Sequence, residues 1–150
     1  MTDDETRRTR ENSLGWMIQR IAGALNREMT RQLEPLDLSL PQFAVMMTVL
    51  EHDGLPQSEI AALIHGPAYA VSRALDRLED QGRIERRSHA SSRRAVAVHV
   101  TDAGRALAGD LQRIVNEVNT ALVTPLATDA DRALLKTLLQ QILPSSDRPG

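Results

Sequence analysis

The middle of the sequence is rich in arginine. Within residues 73–94 of the 150-residue chain, seven arginines stand against four acidic residues, a local balance of +3 in a protein whose formal net charge is −2. The seven are Arg73, Arg77, Arg83, Arg86, Arg87, Arg93 and Arg94. A guanidinium group binds phosphate oxygens and can donate two parallel hydrogen bonds to guanine. The arginines of this segment could therefore bind nucleic acid. Clusters of basic residues also occur on solvated surfaces that bind no partner.

Other kinds of chemistry find no support in the sequence. The chain has no cysteine, which excludes a thiolate nucleophile, a disulfide and a thiol redox switch. Its histidines lie at spacings that do not match a metal site. They are His52, His65, His89 and His99. The nucleophile-elbow, Walker and dinucleotide-binding motifs are also absent from the sequence. We therefore predict no metal, no cofactor and no enzymatic activity.

The composition predicts a helical protein. Hydrophobic residues make up 41% of the chain but aromatic residues only 2%, so the core must consist of Leu, Ile, Val, Ala and Met. No apolar run reaches the roughly 18 residues that a membrane span needs. The N-terminus, "MTDDETRRTREN", lacks the apolar segment of a secretory signal. We predict a cytoplasmic protein of one domain, or one domain with appended helices.

Helices are predicted on both sides of the arginine-rich segment. Apolar residues recur at helical spacing between Leu14 and Pro35. A long helix is predicted from the capping Thr101 to about Pro125, and a last one after Thr128. The ends of the chain lack this periodicity. The predicted divisions are a flexible N-terminus in 1–12, a helix in 13–36, a central lobe in 37–101, further helices in 102–143 and a flexible tail in 144–150.

The central lobe has the pattern of a winged helix-turn-helix. One short helix spans Gln57–Ile64, and a second lies between Pro67 and Gly82 after a turn of a few residues. Ile84–Arg87 and Ala95–Val100 are strand candidates, and the second alternates with period two. Small polar residues between them predict the turn of a β-hairpin. We predict a mainly α fold with a small β-hairpin wing.

Candidate contact residues lie on the polar face of the second short helix. Tyr69, Ser72 and Arg73 fall at its start. In a helix-turn-helix these positions meet base edges in the major groove. Arg73 could bond guanine and Ser72 a base or a phosphate, with Arg77 further along the same face. A solvated helix surface would carry the same residue types.

The wing supplies a second set of candidates. Arg93 and Arg94, at the end of the hairpin turn, could enter a minor groove or clamp a phosphate. The alternatives are a free loop charge for Arg93 and a structural salt bridge for Arg94. Arg86 and Arg87, on the first strand, are predicted to contact phosphate or to face solvent.

The sequence resembles the MarR family of bacterial transcription regulators. The similarity extends over residues 14–143 and is carried by "LSLPQFAVMMTVLEHDGLPQSEIAALI", "VSRALDRLEDQGRIERR" and "RRAVAVHVTDAGRAL". The resemblance implies a homodimer in which residues 13–36 and 102–143 form dimerisation helices and residues 37–101 bind double-stranded DNA. It also implies a sequence-specific repressor that a small, often aromatic, ligand relieves.

A ligand pocket is a further possibility. A helical chain with one Trp and several Met residues can enclose an adaptable apolar cavity, although a lone Trp more often belongs to a core or an interface. The candidates for lining such a pocket are Trp16, Arg20, Met46 and Met47.

The sequence departs from the MarR pattern at two places. The family usually has an acidic residue two positions before the arginine that matches Arg94, and here that position is Ser92. The second helix starts with Pro67, Tyr69 and Ala70, where the family often has a polar cap and small hydroxyl residues. The family's base preferences therefore do not carry over. The alternative to a DNA-binding regulator is a winged helix that serves only as a dimerisation or adaptor module, without specific DNA binding.

Overall fold

The computed structural model describes residues 1–89 and 92–147, and only the backbone of His89 and of residues 92–95. In chain order the elements are α1 (Asp3–Glu11), α2 (Leu14–Leu33), a 3-10 turn (Glu34–Leu36), α3 (Leu40–Glu51), β1 (Leu55–Pro56), α4 (Gln57–Ile64), α5 (Ala68–Asp80), β2 (Ile84–His89), β3 (Ser92–Val100), α6 (Asp102–Arg105), α7 (Ala108–Val123), α8 (Asp129–Ile142) and a second 3-10 turn (Ser145–Asp147). Helices flank a small antiparallel sheet, which confirms the predicted fold class.

The chain forms two compact units, Met1–Val115 and Asn116–Gly150. In the first unit, α4 and α5 form the helix-turn-helix and the β2–β3 hairpin follows them. Its core consists of aliphatic side chains and one methionine. The fully buried members are Leu33, Val45, Met46, Val49, Ile60, Leu75, Leu78, Ile84, Val98, Leu111 and Ile114. This core fixes α5 and the hairpin on one scaffold.

Capping explains where several helices begin. The Ser39 hydroxyl accepts a hydrogen bond from the backbone N–H of Gln42. In return, the side-chain oxygen of Gln42 accepts a hydrogen bond from the backbone N–H of Ser39. Thr101 and Thr128 cap α6 and α8 in the predicted way. Gly82, with φ of 69°, takes up a left-handed conformation after α5, as its predicted role at the helix end requires.

The N-terminal segment contains a helix that the sequence did not indicate. Within residues 1–12, which are predicted to be flexible, Asp3–Glu11 form α1 with no buried residue. The helix is stabilised locally: Thr2 and Glu5 make a capping box, and Asp4 pairs with Arg7 and Arg8 one turn later. Because these forces involve only caps and charges, apolar periodicity could not reveal them.

The helix predicted after Thr101 is interrupted. Residues 106–107 form a turn between α6 and α7, and the Leu107 N–H bonds to the carbonyl of Gly104 three residues back. Glycines at 104 and 109 weaken helix propensity on both sides of the break. At the other end of the chain, residues 145–147 of the predicted flexible tail form a 3-10 turn, and residues 148–150 lie outside the described part.

The sheet has one strand more than predicted. Its order is β1-β3-β2, with both pairs antiparallel. Strand β1 has only two residues, of which Leu55 faces Val98 and Pro56 faces Ala97. Such a short strand has no alternation to detect. The predicted hairpin is confirmed, and its two strands are longer than the sequence indicated.

No helix in the described ranges is both long and apolar enough to span a bilayer.

Candidate nucleic-acid interface

Helix α5 has a buried face and an exposed face that match its sequence pattern. Val71, Ala74, Leu75 and Leu78 are buried. Tyr69 and Arg73 are exposed and Ser72 is half-buried. The helix begins at Pro67 without a side-chain cap, so the positive end of its dipole faces outward uncompensated by a side-chain oxygen. The structure therefore presents all three predicted contact residues on the first two turns of the helix.

Arg73 is free to act on a partner molecule. Within the part of the chain that the structure describes, its guanidinium makes no ion pair or side-chain hydrogen bond. Its neighbours on the same face differ, since both Asp76 and Arg77 have partners within the protein. The free cation thus coincides with the position that meets bases in a helix-turn-helix.

Arg77 is held by the turn that follows α2. Its Nη2 lies 2.9 Å from Oδ2 of Asp37, a residue with a left-handed φ of 51°. The side-chain amide of Gln81 donates to the same oxygen at 2.8 Å. The Gln81 hydrogen bond and the charge of Arg77 keep the pKa of Asp37 below its usual range. Arg77 anchors the far end of α5, and its predicted DNA contact remains a prediction.

Arg86 braces the wing against α5. Its Nη2 lies 2.7 Å from Oδ1 of Asp76 and 3.0 Å from Oε1 of Glu79, and its backbone N–H donates to Glu79 at 2.9 Å. The side-chain hydrogen bond from Arg86 is the main reason that the pKa of Glu79 is lowered. The guanidinium is shared by two carboxylates and the side chain is 24% exposed, so the predicted phosphate contact of Arg86 remains a prediction. Sequence alone could not pair Arg86 with residues seven and ten positions earlier.

A comparison of two adjacent arginines tests this brace. We expect Arg86→Ala to lower the free energy of unfolding by about 1 kcal/mol, because Glu79 loses its partner at a partly buried position. Arg87→Ala should change it by less than about 0.5 kcal/mol, since Arg87 is exposed and its ion pair among the described residues is with its near neighbour Glu85. Urea unfolding followed by circular dichroism measures both. Equal effects of the two substitutions would contradict the bracing role.

The tip of the wing is not described at the level of side chains. The predicted contacts of Arg93 and Arg94, and the consequence of Ser92 in place of an acidic residue, lie outside the described side chains. At the near end of the hairpin, Arg87 is 59% exposed and paired with Glu85, so its predicted phosphate contact also remains a prediction.

Asp53 fastens the base of the wing, a role that sequence reasoning missed. Its Oδ1 accepts the backbone N–H of Val100 at 2.8 Å, and its Oδ2 lies 3.0 Å from Nη2 of Arg105. The next residue, Gly54, has φ of 86° and donates its N–H to the carbonyl of Val98 at 2.9 Å. In a sequence, an Asp-Gly pair indicates only a turn or the end of a helix. The partners of Asp53 lie 47 and 52 positions away, so no local signal could have identified them.

This contact predicts a loss of stability in acid. The N–H of Val100, together with the nearby His99 and Arg105, holds the pKa of Asp53 below its usual range. A carboxylate whose pKa is lowered on folding stabilises the protein above its unfolded pKa, and this contribution is lost as the pH falls through the folded pKa. We expect Asp53→Asn to lower the melting temperature at neutral pH and to flatten its decline between about pH 5 and pH 2. An unchanged pH profile would contradict the role of the carboxylate.

The four predicted pocket residues differ in their surroundings and in their exposure. The guanidinium carbons of Arg10 and Arg20 lie 5.6 Å and 5.0 Å from the centre of the Trp16 ring, which joins α1 to α2 by cation–π contacts. Met46 is completely buried in the core, and Met47 is 38% exposed. A ligand could reach Met46 only if the core rearranged, and the lining of a pocket by these four residues remains a prediction.

Surface cavities occur elsewhere. One of about 220 Å³ lies between the start of α3 and α5 and is lined in part by Tyr69 and Arg73. In the second unit, an apolar groove of about 570 Å³ runs between α7 and α8. The described residues contain no group of three or more His, Cys, Asp or Glu side chains that could hold a metal ion.

The helix-turn-helix, the wing and the exposed polar face of α5 define a winged-helix protein with a nucleic-acid-binding surface. Residues 38–96 match the model of the MarR family. The multiple antibiotic resistance protein MarR of Salmonella typhimurium is 30% identical over 132 residues, which cover 87% of this chain and 91% of that protein. The chain belongs to the MarR family, as its sequence resemblance predicted.

Two solved structures are similar over nearly the whole chain. A cysteine-to-serine mutant of MarR from Escherichia coli, complexed with operator DNA, has a TM-score of 0.77 at 28% identity and covers 87% of this chain and 94% of that one. The Mycobacterium tuberculosis protein Rv2887, named an HTH-type transcriptional repressor, was solved in complex with salicylic acid. Its TM-score is 0.72 at 28% identity, with 87% and 96% of the two chains covered.

Proposed function

We propose that this protein is a homodimeric, sequence-specific repressor of transcription that binds double-stranded DNA and releases it when a small aromatic ligand binds. The observation that carries the proposal is the guanidinium of Arg73, which has no partner among the described residues and lies beside Tyr69 and Ser72 at the start of α5. These side chains reach base edges if α5 enters a major groove. That the Escherichia coli relative was solved in complex with operator DNA supports DNA binding by this chain. We assign no catalytic activity to the chain, and its site of action is the cytoplasm, where bacterial DNA lies.

Dimerisation is supported by apolar side chains that remain exposed. In the first unit, one face of α2 exposes Leu14, Met17, Ile18 and Ile21. In the second unit, α8 and the residue after it expose Leu134, Leu138, Leu139, Ile142 and Leu143. Contiguous apolar surface of this kind marks an interaction site. We therefore propose that residues 13–36 and 102–143 form the dimer and that residues 37–101 form the DNA-binding lobe.

Selection from a random pool of duplexes tests sequence specificity. We expect the wild-type protein to enrich pseudo-palindromes whose half-sites are about one helical turn, roughly 34 Å, apart. Fluorescence anisotropy should then show tighter binding to the most enriched duplex than to a scrambled duplex of the same composition. Equal affinities would overturn sequence-specific binding. If no duplex binds at low salt, the adaptor function would be the better explanation.

Salt dependence tests the phosphate contacts. Each phosphate that the protein neutralises releases a counterion, so the logarithm of the affinity should fall linearly with the logarithm of the salt concentration, with a slope of about −0.9 per contact. We expect several contacts per dimer and thus a steep slope for both the enriched and the scrambled duplex. A slope near zero would contradict a DNA-binding surface built from arginines.

The ligand response is tested with salicylic acid, which binds the Mycobacterium tuberculosis relative. Trp16 is the only tryptophan of the chain, so its fluorescence reports on one place, the contact between α1 and α2. Titration should change this emission and release the labelled duplex over the same concentration range. A duplex that stays bound while salicylic acid saturates the protein would overturn the proposed relief of repression by this class of ligand.

A further inference from the structure

Most charged side chains on the exposed face of α5 are already engaged within the protein. Asp76 and Glu79 hold Arg86 of the wing, and Arg77 is held by Asp37. These contacts position the helix, but they remove the paired groups from direct recognition of bases. Among the side chains of α5, base readout therefore falls to the first two turns, at Tyr69, Ser72 and Arg73.

Tyr69 is the largest of these three side chains and the most unusual at its position. It is 68% exposed, although its ring is apolar over most of its surface. No hydrogen bond of its phenol group occurs within the described part of the chain. Residues 69 and 73 are one helical turn apart, so both side chains leave the same face of α5 and border the same surface cavity. The ring is thus free to pack against a partner next to the guanidinium.

The major groove offers one apolar group to such a ring. Thymine carries a 5-methyl group there, and its contact with apolar side chains distinguishes it from the other bases. We infer that the ring of Tyr69 packs on a thymine methyl in each half-site, close to the guanine that Arg73 binds. Four residues span about 6 Å along a helix, and base pairs are about 3.4 Å apart. The thymine therefore lies one or two base steps from the guanine. This inference rests on the proposed function.

Tyr69 would otherwise act through its hydroxyl group, which could donate a hydrogen bond to a phosphate. The two modes differ in what they require of the protein and of the DNA. Ring packing needs the aromatic ring and the thymine methyl but not the hydroxyl. A phosphate contact needs the hydroxyl and is insensitive to the methyl.

The test replaces single thymines by deoxyuridine, which removes the methyl and keeps base pairing. The probe is the duplex that the wild-type protein enriches most strongly from a random pool. We expect one thymine per half-site at which the substitution weakens binding about fourfold, and about 15-fold when both half-sites are changed, as expected for the loss of a buried methyl. Thymines more than two base steps from the guanine that Arg73 binds serve as controls. Their replacement by deoxyuridine should leave the affinity unchanged.

Two variants connect the effect to Tyr69. Tyr69→Phe should keep both the affinity and the sensitivity to deoxyuridine, whereas Tyr69→Ala should bind more weakly and respond equally to thymine and deoxyuridine. Both should melt within a few degrees of wild type, because the side chain is exposed.

Three results would overturn the inference. They are an operator on which no deoxyuridine substitution changes binding, a Tyr69→Ala variant that remains sensitive to the substitution, and a Tyr69→Phe variant that loses as much affinity as Tyr69→Ala. Each of these three results counts against the inference alone when the wild-type protein still binds its enriched duplex more tightly than a scrambled one. Loss of that preference would instead overturn the proposed function itself.

Discussion

Gly104→Ala should destabilise the protein by about 3 kcal/mol or more, the upper range for forcing an extra methyl into a packed site. A Cβ at this position would overlap the carbonyl oxygen of Arg83 and lie 2.8 Å from Cγ2 of Val100. The carbonyl cannot easily move, since it accepts the N–H of Thr101 at 3.1 Å. Helix α6 would therefore have to separate from the strand that enters the wing.

Gly109→Ala is the matched control for this substitution. Gly109 lies in α7, five residues further along the chain, and a Cβ there would meet no atom within 4 Å. Alanine should stabilise α7 by about 0.5–1 kcal/mol, because it favours the helix and restricts the unfolded chain. Urea unfolding at neutral pH gives both values. If both variants unfolded at the same denaturant concentration, the close approach at Gly104 would be refuted.

The same contact fixes α6 to the base of the wing. Thr101 caps α6 and its hydroxyl donates to the carbonyl of Gly82 at 2.6 Å, while Gly104 allows α6 to approach Arg83. The segment after β3 is thus fixed to the segment before β2. We expect Gly104→Ala to weaken DNA binding as well, since the two strands of the wing would lose their common base.

The sequence was sufficient for elements whose signal is local. The sequence predicted a helix over Gln57–Ile64, which is α4, and a second helix between Pro67 and Gly82, which contains α5. These predictions depended on helical periodicity and on end signals such as Gly82. The alternation before Val100 predicted the hairpin for the same reason. Family resemblance then supplied the arrangement of these elements.

The partners of the charged residues could not be predicted in this way. The sequence assigned no partner within the protein to any of four arginines. Among the described residues, the structure divides them into an unpaired cation, a contact to Asp37, a wing brace and an exposed local pair, which are Arg73, Arg77, Arg86 and Arg87 in that order. Side chains seven to 40 positions apart meet only after the fold has formed. The local surplus of positive charge is therefore a poor guide to which arginine is available to DNA.

Arg73→Ala should have the largest effect on DNA recognition. A bidentate arginine–guanine contact contributes about 1–3 kcal/mol of discrimination, and a homodimer would make it twice, so affinity for the enriched duplex should fall about 30-fold or more. The folded state should be unaffected, because Arg73 is exposed and has no partner among the described residues. Anisotropy titrations with the enriched and the scrambled duplex measure the change in each.

Arg73→Lys separates charge from geometry at the same position. Lysine keeps the positive charge but lacks the planar fork that fits guanine O6 and N7. We expect this variant to bind the scrambled duplex like wild type and to lose most of its preference for the enriched one. Replacing the contacted guanine by adenine should cost wild type much more than Arg73→Ala, since the variant has already lost that contact. If the guanine substitution cost both proteins the same, Arg73 would be a phosphate contact and the free cation of α5 would supply affinity without specificity.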